Sequence, residues 1–227
     1  MESLAPILSW LVFPFGPVLV VAVLCLPILR IARRRTQSEL EPLAHRFGLR
    51  PLVPPPGISG LLAKPGLVGR FEGQEVVLTI TSETRWGASR RQSREEPSWG
   101  VHLRLRITPA LSTEFSATRE GVSERLLQRL VPEKTVGDED LDALLHIRSL
   151  GVGDREVLRL QTIQNGIFRL GTLGRFEFHG GEMRVYATAL HDWSDLAEEL
   201  LLNAQNFAHA LAHVSVPDPQ HQDVWSV

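Results

Sequence analysis

The chain is poor in the residues that most often announce chemistry. Its 227 residues hold one cysteine, Cys25, which excludes an intramolecular disulfide and a cysteine-based zinc site. Lysine is almost missing: Lys64 and Lys134 stand against 22 arginines, a bias that fits a GC-rich bacterial genome. No repeat with a clear period is present. Gly57-Ile58-Ser59-Gly60 and Gly151-Val152-Gly153-Asp154 are too short for a phosphate loop and lack its lysine. The first of them also misses the Gly-x-Ser-x-Gly spacing of a hydrolase elbow. Nucleophilic catalysis finds no support in these patterns.

Charge is missing from the start of the chain. Between Ser3 and Leu29 there is no charged side chain, and Ile7 to Leu29, at about 1.5 Å per residue, is long enough to cross a hydrocarbon core of about 30 Å. Arg30, Arg33, Arg34 and Arg35 follow at once. A cleaved signal peptide has the reverse order, with positive charge before the apolar run. Ala22-Val23-Leu24 lacks the small residue that a lipoprotein signal places before its cysteine, so Cys25 reads as an ordinary apolar residue. Pro14, Pro17 and Pro27 interrupt the run, which membrane helices tolerate. Trp10, Phe13 and Phe15 cluster at the first break, as interfacial aromatics do. The expectation is a membrane helix over about Leu8 to Ile31. Its four flanking arginines hold the following domain on the cytoplasmic side of the bacterial inner membrane and lie within reach of anionic lipid.

From Thr36 onward the chain carries 20 basic and 25 acidic residues, and this mild acidity disfavours nucleic acid as a partner. Thr36-Gln37-Ser38-Glu39 fits a capping box, and Leu40, Leu43, Ala44 and Phe47 continue at helical spacing to Gly48. A proline-rich connector, Pro51 to Gly57, offers too few donors for regular structure. Leu67 to Phe71 and Glu75 to Thr81 flank Glu72-Gly73-Gln74 as a hairpin. Arg85 to Pro97 is polar, a loop. Val101 to Ile107 alternates strictly, the mark of a strand with one wet face. Phe115 to Thr118 is expected to pair beside it, and Val122 to Val131 to form a helix stopped by Pro132.

Asp138 to Asp142 opens the second half as an acidic helix start. Leu144 to Arg148 reads equally as a strand or a helix extension. Asp154 is expected to cap a helix through Gln161, and Asn165-Gly166 to turn the chain. Ile167 to Leu170 and Gly174 to Phe178 then lead to Gly180-Gly181, with Met183 to Tyr186 closing a hairpin. Asp192 caps a long last helix. Its stripe is Trp193, Leu196, Leu200, Ala204, Phe207, Leu211 and Val214, and Pro217 ends it. The predicted fold class is α+β. A single transmembrane helix with its basic stop (1–35) precedes a first half (36–134), a second half (135–216) and a loose tail (217–227). The sheet is mainly antiparallel and a long amphipathic helix closes the domain.

The run Thr135-Val136-Gly137-Asp138-Glu139-Asp140-Leu141-Asp142, followed by a short strand, a helix, a glycine-turned hairpin and a closing helix, resembles an uncharacterised bacterial family. Its members carry one or two membrane spans and a cytoplasmic α+β domain of unknown function. The resemblance covers Thr135 to His213 plus the anchor, with Leu141 and Leu145 standing where such domains often have phenylalanine. It implies a fold and an address, and it brings no catalytic residues.

Candidate sites are few. Arg85, Arg90, Arg91 and Arg94, with Trp86 and Trp99 nearby, form a candidate contact for an anion or a partner through guanidinium pairing and stacking. Arg104, Arg106 and Arg119 are expected to add charge on an adjacent strand face. His209 and His213 share one helix face at zinc-ligand spacing, but Ala210 stands where a zincin has its glutamate. Asp138, Glu139, Asp140 and Asp142 lack the glycine and closing glutamate of a calcium loop. No catalytic, cofactor or metal residue is assigned. Leu202, on the wet face of the last helix beside Leu201, is a candidate contact for a second copy. The sequence therefore favours a membrane-anchored binding or scaffolding module, with the bilayer and a protein or second subunit as partners. The alternative is a small-ligand or enzymatic domain built on the Arg85 to Arg94 loop with His102 and His179.

Overall fold

A computed structural model describes residues 27, 30–56, 60, 63–83, 98–107, 111–119, 135–151, 153–190 and 192–214. Alternation builds the sheet. β1 (Arg50–Pro51), β2 (Gly66–Phe71), β3 (Gln74–Glu83), β4 (Ser98–Arg106), β5 (Ser116–Arg119), β6 (His146–Ser149), β7 (Arg175–His179) and β8 (Glu182–Ala189) form one sheet in the order β1-β2-β3-β4-β8-β7-β5-β6. All its pairings are antiparallel. Two hairpins have tight turns that need left-handed backbone. Glu72 and Gly73 supply it at φ 48° and 83°, and Gly180 and Gly181 at 60° and 75°.

Along β4 the side chains of Val101, Leu103 and Leu105 are buried while Arg104 and Arg106 are exposed. Their neighbours across the ladder follow the same parity: Leu78 and Val185 flank Leu103, and Met183 flanks Leu105. The helices α1 (Glu41–Phe47), α2 (Glu139–Leu144), α3 (Asp154–Leu158), α4 (Gln161–Leu173) and α5 (Trp193–Ala212) complete the domain. α4 and α5 pack on each other and on the inner face of the sheet. Ile163, Ile167 and Leu170 of α4 join Leu200, Leu201, Ala204, Phe207 and Leu211 of α5 in the core. The expected α+β domain with an antiparallel sheet and a long closing helix is therefore present, and the sheet runs through both halves of the chain.

Several local expectations are corrected. Thr36 is no N-cap: residues 30–39 are one helical segment, and its hydroxyl donates back to the Ala32 carbonyl at 3.2 Å. A hydroxyl caps only where the backbone leaves the helix, and here it does not. Leu40 only separates that segment from α1 and keeps helical backbone, and α1 ends on left-handed Gly48 at φ 64°. Pro51, placed in an irregular connector, joins the outermost strand, where a missing N–H costs no ladder bond. β5 does not lie beside β4: it pairs with β6 and β7, and β8 takes the place beside β4. Leu144 ends α2 and His146 opens β6.

Asn165-Gly166 is not a turn. Both lie inside α4, because Ile163, Ile167 and Leu170 recur at helical spacing and Gly166 allows α5 to approach. A Cβ on Gly166 would stand 2.5 Å from Phe207 Cδ2. Asp154 does not cap α3, since Gly153 holds that position. Its buried carboxylate accepts instead from Ser112 N and Oγ, both at 2.7 Å, and from Gly151 N at 2.6 Å. The helix expected to run to Gln161 stops at Leu158, and α4 begins anew at Gln161. The apolar span, the Val122 to Val131 helix and the tail beyond Pro217 lie outside the described residues.

Candidate functional site

With α4 and α5 on the inner face, no helix among the described residues packs on the outer face of the central strands, and its own side chains set its character. Register alone decides which residues meet there. His102 of β4 stands between Thr79 and Tyr186, Arg104 between Val77 and Arg184, and Arg106 between Glu75 and Glu182. One strand further, Arg184 faces Glu177 and Tyr186 faces Arg175 on β7, while Arg70 of β2 faces Glu75. This face thus carries Arg70, Arg104, Arg106, Arg175 and Arg184 against the carboxylates Glu75, Glu177 and Glu182. The cations exceed the carboxylates.

Arg104 and Arg184 are directly opposed, an arrangement that by itself destabilises a sheet. Glu182 mitigates it by touching both, at 3.8 Å to Arg104 Nε and 2.5 Å to Arg184 Nε. The hydrogen bond from Arg184 to Glu182 raises the guanidinium above its already high ordinary value, so its charge is permanent. Arg106 lies 3.9 Å from Glu75, and Arg175 2.8 Å from Glu177. These pairs are solvent-exposed, each worth about 0–1 kcal/mol. An incoming acidic group can therefore exchange partners with them at little cost.

Beside the arginines sits an aromatic and hydroxyl corner. The Thr81 hydroxyl donates to Gly100 O at 3.2 Å and lies 2.6 Å from His102 Nε2. Tyr186 meets the His102 ring edge-on, with centroids 5.2 Å apart at 88°. Together with Lys64, Val77, Arg104 and Arg184 these rings line a shallow cavity of about 550 Å³.

The arginine loop singled out by sequence, Arg85, Arg90, Arg91 and Arg94, lies outside the described residues. Of the cations expected beside it, Arg104 and Arg106 are on the outer face. Arg119 is not: it shares the inner parity of Ala117, and its guanidinium donates to the Gly171 carbonyl of α4. His179 is exposed at the far end of β7, away from His102. The His209 and His213 rings meet edge-on, with centroids 4.4 Å apart, at the end of α5, and Glu72 Oε1 lies 3.5 Å from His209 Nδ1. Among the described residues no three potential metal ligands come together. Leu202 is 43% exposed as expected, but Leu201 beside it is fully buried and cannot widen that patch. Arg33, of the membrane-flanking set, donates to the Gly60 carbonyl, Arg35 pairs with Glu39 at 3.2 Å, and Arg30 and Arg34 are exposed.

Arg184 and Tyr186 were legible only as members of a hairpin, and Glu182 was not singled out. The signal that could have promoted them is the alternation Met183 in, Arg184 out, Val185 in, Tyr186 out, the same signal that marks β4. No family model matches the chain, and neither a curated protein nor a solved structure does. Among the described residues no helix is long and apolar enough to cross a membrane.

Proposed function

We propose that this chain is a single-pass inner-membrane protein whose cytoplasmic α+β domain is a binding module, with the outer sheet face as its contact surface for an acidic protein segment. The observation that carries the reading is the Arg104–Arg184 opposition. Two like charges held face to face on exposed strands cost stability, and Glu182 is one carboxylate shared between them. A carboxylate from a partner would complete the pairing through bidentate guanidinium contacts. The apolar run from Ser3 to Leu29 and the arginines after it support the anchor and its orientation.

A photo-crosslinking residue placed at Tyr186 in the native host tests this, with the exposed Gln205 of α5 as the comparison position. A discrete adduct should form from position 186, be absent from 205, and disappear when Arg104→Glu and Arg184→Glu are combined. An adduct insensitive to charge reversal, or equal labelling from both positions, would remove the outer face as the contact. An adduct of twice the chain's mass would make the partner a second copy.

A further inference from the structure

Elements distant in sequence meet at one end of the sheet. β3 ends at Glu83 opposite Ser98, and β8 ends at Ala189 opposite Trp99. α5 begins there at Trp193, and the helical segment 30–39 lies against it. Together they enclose a cleft of about 990 Å³ lined by Ile31, Ala32, Arg35, Trp99, Asp192 and Trp193 among others. The two indole rings lie 6.3 Å apart, tilted by 49°. Ile31 and Leu190, large apolar side chains that are 67% and 54% exposed, flank the same end.

The segment 30–39 is not a loose tether. Thr36 bonds back to Ala32 within the helix, and Thr36 and Leu40 are buried against the domain. Arg33 donates to the Gly60 carbonyl, and Gln37 Nε2 to Gly66 O at 3.4 Å. Where the apolar run ends, at Arg30, the chain is therefore already fixed to the domain. Thr36, which lines the cleft, is six residues on, about 9 Å along the axis. The headgroup layer is about 5–7 Å deep on each side. A helix leaving the hydrocarbon at Arg30 therefore sets the cleft residues Ile31 and Ala32, one and two positions on, within the headgroup layer and Thr36 just beyond it.

The geometry points to a second membrane contact: the Trp99–Trp193 end of the domain rests in the headgroup layer, with phospholipid headgroups filling the cleft. The half-buried Trp99 indole suits that depth, because it joins an apolar body to a polar N–H, and the buried Trp193 packs behind it. Exposed Arg30 and Arg34 supply charge for anionic lipid. At the rim Glu39 is paired with Arg35, while Asp192 accepts from the Ser194 N–H at 2.9 Å and keeps its charge. The inference rests on the membrane span proposed above.

The full chain in nanodiscs provides the test, with Cys25→Ala removing the one native cysteine. A fluorophore is placed by Leu190→Cys or, at the opposite end of the sheet, by Glu72→Cys, and the nanodisc lipids carry a headgroup nitroxide. Quenching at position 190 should be about threefold or more that at 72. Ile31→Glu should reduce it without lowering incorporation. Equal, weak quenching at both positions in a chain that resists alkaline carbonate would overturn the second contact while leaving the span. Quenching at 190 that Ile31→Glu leaves unchanged would overturn the role of the cleft. Release of the chain by carbonate would overturn the span and this inference with it.

Discussion

Asp154 ties two loops that the sheet itself does not hold together. Its carboxylate accepts three hydrogen bonds, two of them from backbone N–H groups, at a site 2% exposed. Removing an acceptor from buried donors costs about 1–3 kcal/mol for each group left unpaired. Asp154→Ala should therefore lower stability by about 3 kcal/mol or more in urea unfolding, and Ser112→Ala, which keeps both backbone bonds, by about 1 kcal/mol. Asp192 offers a test by pH. The Ser194 N–H that its carboxylate accepts holds its pKa below the ordinary value. A depressed carboxylate adds stability above its unfolded value and loses it as pH falls through the folded one. Asp192→Asn keeps a capping oxygen but not the titration. The margin of the native chain over this variant in Tm should therefore shrink below about pH 4.

At the scale of elements the closing helix is the sharpest case. Leu200 and Phe207 are buried, and burying an unpaired carboxylate there costs several kcal/mol. Leu200→Asp and Phe207→Asp should unfold the domain, as read by circular dichroism, and Leu202→Asp should not. The structure adds Leu201→Asp to the first group, because Ala197, Leu201 and Ala208 widen the buried stripe beyond the one visible in the sequence. That stripe was legible because Asp192, Pro217 and a 3.6-residue period agree. α4 was not, because Asn-Gly is a strong local turn signal and its tertiary reason for being helical sits in another element. Gly166 is the contact point for Phe207, and no local pattern announces a partner 41 residues away. Gly166→Ala should cost about 1–3 kcal/mol through this overpacking.

On the scale of the whole molecule, hairpins were readable because their two strands and turn are adjacent, as in β2–β3 and β7–β8. The β4–β8 and β5–β7 pairings were not, because they join segments separated by long stretches of chain. The outer face inherits that difficulty. Arg104 could be seen on a wet strand face, but its opposition to Arg184 exists only once β8 is laid beside β4. The passage from anchor to domain has the same character. A capping box at Thr36 would have made residues before it a separate piece, whereas the observed helix carries residues 30–39 into the fold as one body. The length of chain needed for folding follows from this. Thr36 and Leu40 are buried, Arg33 and Gln37 bond across to Gly60 and Gly66, and none of these contacts survives a cut after Leu40. Loss of a buried leucine alone costs about 2–5 kcal/mol, against a whole-domain stability of about 5–15 kcal/mol. A chain beginning at Arg30 should remain folded, with a urea midpoint well above that of a chain beginning at Glu41. Equal midpoints would mean that the entry helix does not pack on the domain.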